Sequence, residues 1–176
     1  MLSLTFVFWM YVVLFGVIGA MRGWAKELLV SFSVVLAIFI ITVMEIFIPF
    51  VRDAVVGPAH FWLRVGVLTA LVFFGYQTPN LPRLAGSNRF AREHLQDILL
   101  GLFLGAINGY LIFGTVWFYM DSAGYPFQYI AAPVAGTPMG DAAIKLLALL
   151  PPQWLSTPAI YFAVAVAFVF VLVVFI

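Results

Sequence analysis

Residues 2–29 of this chain read LSLTFVFWMYVVLFGVIGAMRGWAKELL. The apolar run over residues 2–20 carries no charge, and Arg22 and Lys26 follow soon after it. A cleaved signal peptide has the reverse order, with positive charge before the apolar run and small residues at a cleavage site after it. The segment therefore predicts a retained membrane-spanning helix over about residues 2–20, with the N-terminus outside.

The whole chain has the composition of a membrane protein. Of its 176 residues, 65% are hydrophobic and 9% are charged, and its mean hydropathy is +1.16. A soluble domain carries about 25% charged residues, so this much apolar surface requires lipid as its solvent. Because the net charge is +1 and no basic patch is present, we expect no nucleic-acid partner. The absence of cysteine excludes disulfides, thiolate metal ligands and cysteine nucleophiles.

Four further apolar runs follow the first, each near the roughly 20 residues that a bilayer requires. The fold class predicted is all-α, a polytopic transmembrane helical bundle that forms one integral membrane domain over residues 1–176. The expected spans are about residues 2–20, 28–48, 60–76, 98–120 and 158–176.

The long connection between the last two spans, residues 121–157, is predicted to be extracytoplasmic and to hold one short amphipathic helix at the membrane interface. This helix covers Asp141–Leu150, and Pro151-Pro152 stops it. Trp154 is expected to anchor the segment at the interface. The apolar residues expected to face lipid are Ile144, Leu147 and Leu150.

The distribution of lysine and arginine predicts the orientation, because cytoplasmic connections carry more positive charge. The 1–2 and 3–4 connections hold five basic residues, namely Arg22, Lys26, Arg83, Arg89 and Arg92. The other connections, with the adjoining span ends, hold three, namely Arg52, Arg64 and Lys145. We therefore expect the N-terminus outside and residue 176 on the cytoplasmic side.

Glycines at helical spacing predict close helix packing. Gly101, Gly105 and Gly109 line one face of the fourth span, and Gly19 and Gly23 repeat the spacing at the end of the first span. Small residues four apart let two helix backbones approach within a membrane, either inside one chain or between two copies. On the same span, Asn108 needs a hydrogen-bond partner, since an unpaired amide in hydrocarbon costs several kcal/mol. We expect it to connect helices.

Few titratable residues lie in or beside the spans. Glu45 is expected to pair with Arg52 or Arg64, with a proton or ion role as the alternative. Arg64 is expected to extend outward toward water. The histidines, His60 and His94, favour interfacial positions over haem or chlorin ligation, because neither has a second histidine at helical spacing. No catalytic set or phosphate loop is present, so we predict no enzyme activity, metal or cofactor.

The turn after the first span concentrates charge, in Arg22, Lys26 and Glu27. On a continued helix Arg22 and Lys26 would share one face at headgroup level, with Trp24 as an anchor at the same depth. These four residues are therefore candidates for contact with anionic lipid or with a partner protein.

Two segments resemble the CvpA, or colicin V production, family. Arg22–Leu29, RGWAKELL, is similar to the family's RGF segment with its following basic residue and glutamate. Residues 96–121, QDILLGLFLGAINGYLIFGTVWFYMD, are similar to its fourth span, and residues 62–66 to the start of its third. Ile98 and Asn108 stand where the family has arginines, and this chain adds a fifth span. The resemblance implies a bacterial inner-membrane protein linked to envelope function and bacteriocin production.

Two functions remain open from the sequence. The first is a non-enzymatic inner-membrane protein of CvpA type, which acts through the bilayer and through other membrane proteins or a second copy bound at the glycine face. The alternative is an accessory transmembrane subunit of a respiratory or photosynthetic complex. A transporter or channel is disfavoured, because the spans hold too few polar groups to line an aqueous path.

Overall fold

The computed structural model describes residues 3–54, 57–77 and 91–175, and every regular element in those ranges is helical. The helices are α1 (Leu4–Arg22), α2 (Trp24–Phe47), α3 (Pro58–Tyr76), α4 (Ala91–Ser122), α5 (Pro138–Leu147), α6 (Pro151–Trp154) and α7 (Ala159–Phe175), with a π-helical turn at Phe50–Ala54. By length and composition α1, α2, α3 and residues 94–122 of α4 could each cross a membrane, and α7 is a shorter apolar helix. The predicted all-α bundle is confirmed, and the chain is a membrane-embedded helical protein.

The first two spans do not form one continued helix. α1 ends at Arg22 and α2 begins at Trp24, because Gly23 adopts a φ of +87° that a residue with a side chain rarely tolerates. The expectation that Arg22 and Lys26 share one helical face is therefore wrong, since they belong to different helices.

The core lies where α2 and α4 meet. Val30, Val34 and Ile38 of α2 are buried together with Leu111 and Ile112 of α4. α1 packs along α4, while α3 and α7 pack against α2. Phe32 meets Phe170 and Phe39 meets Tyr161, which shows that α7 runs antiparallel to α2. The order across the bundle is thus α1, α4, α2, with α3 and α7 beside α2.

The helix of the predicted fourth span begins before its apolar run, since α4 starts at Ala91 and not at residue 98. Polar residues tolerate helical geometry, so the helix continues past the point where the apolar run stops. Arg83 and Arg89 of the preceding connection lie outside the described residues.

The amphipathic helix of the long connection is shifted toward the N-terminus. α5 begins at Pro138, and the Thr137 hydroxyl accepts a hydrogen bond from the Gly140 N–H at 3.1 Å, which caps the helix. Leu150 does not face lipid as expected. It follows the end of α5 and is completely buried, because Gly114 of α4 leaves space for Leu150 and Pro151.

Aromatic side chains in the rest of the connection form hydrogen bonds with aromatic side chains of α4. Trp154 is half exposed, and its indole N–H donates to the Tyr110 hydroxyl at 3.1 Å. In the turn that follows α4, the Trp117 indole N–H donates to the Tyr125 hydroxyl at 3.2 Å. Burial raises the pKa of Tyr125 to about 12.

Candidate functional site

The glycine faces of α1 and α4 lie directly against each other. A Cβ atom built on Gly19 would overlap the Gly101 carbonyl oxygen and lie 2.7 Å from the Gly105 Cα. A Cβ on Gly105 would overlap the Phe15 carbonyl oxygen. Real Cβ atoms essentially never come so close, so only glycine allows the two backbones to approach to this distance. The glycine face of α4 is therefore occupied by α1 within the same chain.

Two further positions extend this contact. A Cβ on Gly109 would lie 2.9 Å from the Val12 Cα, one turn further along both helices. Gly16, which the sequence argument missed, faces Ala106 in ordinary van der Waals contact. Its position three residues before Gly19 was the available signal, since residues three and four apart share a helix face.

Next to this contact lies a buried ion pair. The Arg22 Nη1 is 2.6 Å from the Glu27 Oε1, and the two side chains are 20% and 0% exposed. The Gly23 turn places the end of α1 beside the first turn of α2. The ion pair between Arg22 and Glu27 therefore spans this turn. Glu27, a predicted candidate for contact with lipid or a partner protein, is therefore enclosed within the chain. A carboxylate without exposed surface requires a partner, because desolvation of an unpaired charge costs several kcal/mol.

Asn108 completes the coordination of Glu27 from α4. Its amide nitrogen donates to the Glu27 Oε2 at 2.7 Å and to the Glu27 carbonyl oxygen at 2.8 Å. Its amide oxygen accepts from the Ser31 hydroxyl at 2.7 Å. Every polar atom of the Asn108 side chain is thus bonded to α2, although the side chain is completely buried. We name Arg22, Glu27, Ser31 and Asn108 the junction cluster.

Residues of α3 and of the start of α4 also border the junction cluster. The Arg22 guanidinium lies 4.2 Å from the centre of the Tyr76 ring, and its Nη2 donates to the Tyr76 carbonyl oxygen at 3.2 Å. The Asp97 Oδ1 accepts from the Trp24 N–H at 3.2 Å, which places a carboxylate at the positive N-terminal end of α2. Side chains from α1, α2, α3 and α4 therefore meet at this junction.

The four residues expected to contact lipid or a partner thus divide into two groups. Arg22 and Glu27 are engaged inside the chain. Trp24 and Lys26 are partly exposed, and Lys26 makes no ion pair with any residue that the structure describes. The junction cluster therefore connects α1, α2 and α4 through polar contacts. Both carboxylate oxygens of Glu27 already accept hydrogen bonds, one from Arg22 and one from Asn108.

A second polar group lies at the opposite end of α2. The Glu45 Oε1 accepts from the Arg64 Nε at 2.6 Å and lies 3.1 Å from the His60 Nε2. Of the two expected partners, Arg64 is the one observed. The expectation that Arg64 extends to water is wrong, because its side chain is 16% exposed and lies over the Tyr119 ring. His94 is exposed on the first turns of α4.

Comparisons with known proteins found no match to this chain. No protein-family model matches the sequence, and no curated protein and no solved structure matches it either. Within the described ranges, no three His, Cys, Asp or Glu side chains come together in a group that could hold a metal ion.

Proposed function

We propose that this chain is a non-enzymatic protein of the bacterial inner membrane, of CvpA type, that acts through other membrane proteins. The observation that carries the proposal is the junction cluster. The two segments that resemble the family, Arg22–Leu29 and residues 96–121, lie far apart in the sequence and pack on each other through Glu27 and Asn108. Motifs that form one structural unit support a shared role better than isolated matches.

The distribution of polar groups also supports action through partners. Two glutamates of α2 are paired within the chain, Glu27 with Arg22 and Glu45 with Arg64. Large apolar side chains cover the outside of the helices, including Val13 of α1 and Phe103 of α4. The lateral surface of these helices is therefore apolar, and partners that contact it would lie beside the chain within the bilayer.

Site-specific photocrosslinking in native membranes tests this proposal. A benzoylphenylalanine at Phe103, which is 62% exposed, should give one discrete protein adduct that mass spectrometry identifies. The matched control is Leu111 on the same helix, which is buried and should crosslink only within the chain. Lipid adducts alone at Phe103, and likewise at Val13 on α1, would contradict the proposal.

A second candidate, the accessory subunit of a respiratory or photosynthetic complex, is favoured by α7. This helix carries no charged residue, and the side chains of Phe162, Val166 and Val173 are mostly exposed. A helix that packs so little against its own chain is typical of a subunit whose helices pack against neighbouring subunits. Gentle solubilisation should then yield a large assembly with the absorption bands of haem or chlorin, whereas a colourless preparation without co-purifying subunits would contradict this candidate.

A further inference from the structure

Two apolar grooves run along the side of α2 that faces away from α4. The first lies between α2 and α3, has a volume of about 380 Å³ and is lined by Ser33, Leu71 and Phe74 among others. The second lies between α2 and α7, has a volume of about 170 Å³ and is lined by Val35, Ala167 and Phe168 among others. Phe32 and Leu36 border both grooves and form a ridge between them.

The depth of these grooves matches one leaflet of a bilayer. Phe32 and Leu36 lie six and ten residues after Lys26 on α2, which corresponds to about 9 and 15 Å along the helix axis. Half of the hydrocarbon core is about 15 Å thick. With Lys26 at headgroup level, both grooves therefore lie at the depth of the acyl chains in the same leaflet.

A cation stands at the headgroup end of the grooves. Lys26 precedes Leu29 by three residues and Ser33 by seven, so it lies on the same side of α2 as the α2–α3 groove. The nearby Arg22 is already paired with Glu27, and Asp97 bonds to Trp24 on the α4 side of the helix. Lys26 is thus the cation of this turn that has no ion pair among the described residues.

We propose that this face binds one anionic phospholipid with two acyl chains. One chain lies in each groove, the two chains straddle the ridge of Phe32 and Leu36, and the phosphate pairs with Lys26. A partner helix fits less well, because a cylinder about 10 Å wide needs one continuous groove, and the ridge divides this one. The proposal goes beyond the proposed function and does not depend on it.

Lipid binding to the purified full chain in detergent tests the headgroup part of the proposal, with native mass spectrometry as the readout. Phosphatidylglycerol should bind about fivefold more tightly than phosphatidylcholine with the same acyl chains, since a basic residue at the surface favours anionic lipid by about that factor. Lys26→Gln should remove the preference. Lys145→Gln, which alters an exposed lysine on α5, should leave it unchanged.

Substitutions on α7 test the acyl-chain part. Ala167→Phe fills the second groove and should weaken phosphatidylglycerol binding severalfold, whereas Ala165→Phe, exposed two residues away, should not. Thermal unfolding of both variants establishes that they are folded to the same extent. Equal binding of the two lipids by the wild type would overturn the proposal. So would the conversion of a dimer to a monomer by Ala167→Phe, because that result assigns the face to a second copy.

Discussion

The carboxylate of Glu27 has no exposed surface and depends on Arg22 for charge compensation and on Asn108 for a hydrogen bond. Arg22→Gln removes the cation and leaves the carboxylate buried among apolar helices. Loss of one partner of a buried ion pair costs roughly 3–5 kcal/mol, so we expect a clearly lower melting temperature in detergent. If Arg22 served only to set membrane orientation, this substitution would change stability little.

The double variant Arg22→Gln, Glu27→Gln distinguishes the buried pair from a general effect of the turn. Removing both charges leaves no unpaired ion, and the amide at position 27 can still bond to Asn108. We therefore expect the double variant to melt at a higher temperature than Arg22→Gln alone. A double variant that is less stable than the single one would show that Glu27 and Arg22 contribute independently.

The contact between α1 and α4 is the most extensive helix contact within the described residues, and glycines allow the two backbones to approach closely. Gly105→Leu places a side chain against the Phe15 carbonyl and the Gly19 backbone, neither of which can move aside. Overpacking of this kind costs about 1–3 kcal/mol, and we expect a lower melting temperature or loss of α1 docking. Circular dichroism melting in detergent measures the effect.

Substitutions at two other helical glycines serve as controls for this prediction. A Cβ on Gly66 of α3 would meet nothing within 4 Å, so Gly66→Leu should leave stability unchanged. A Cβ on Gly114 of α4 would lie 2.8 Å from the Pro151 ring, a side-chain contact on a short helix, and Gly114→Leu should have an intermediate effect. Similar melting temperatures for all three variants would contradict the close α1–α4 packing.

At the scale of the whole molecule, the two ends of α4 allow a test of the predicted topology. His94 and Ser122 are exposed and lie 28 positions apart on this helix, which corresponds to about 42 Å. This distance exceeds the roughly 30 Å of the hydrocarbon core.

Because the chain contains no cysteine, single His94→Cys and Ser122→Cys variants can be labelled with a thiol reagent without background labelling of other residues. An impermeant maleimide should label Ser122→Cys from outside and His94→Cys only after permeabilisation, and labelling of both from one side would contradict the topology.

Local composition was enough to locate the long apolar helices, because a bilayer selects runs of about 20 apolar residues wherever they occur. The expected spans at residues 2–20, 28–48 and 60–76 agree with α1, α2 and α3 within a few residues. Composition did not reveal that α4 continues back to Ala91, since polar residues can be helical. Nor did it reveal that Gly23 separates two helices, since the turn depends on one backbone torsion.

The sequence alone thus determined that the chain is a helical membrane protein, that glycines prepare one face of α4 for close packing, and that Asn108 needs a partner. Only the tertiary structure decided which groups meet. It brought Glu27 to Asn108, 81 residues away in the sequence, and it assigned Arg64 to Glu45. The physical reason is that hydropathy acts on each segment separately, whereas an ion pair or a hydrogen bond forms only after particular helices have come to lie side by side.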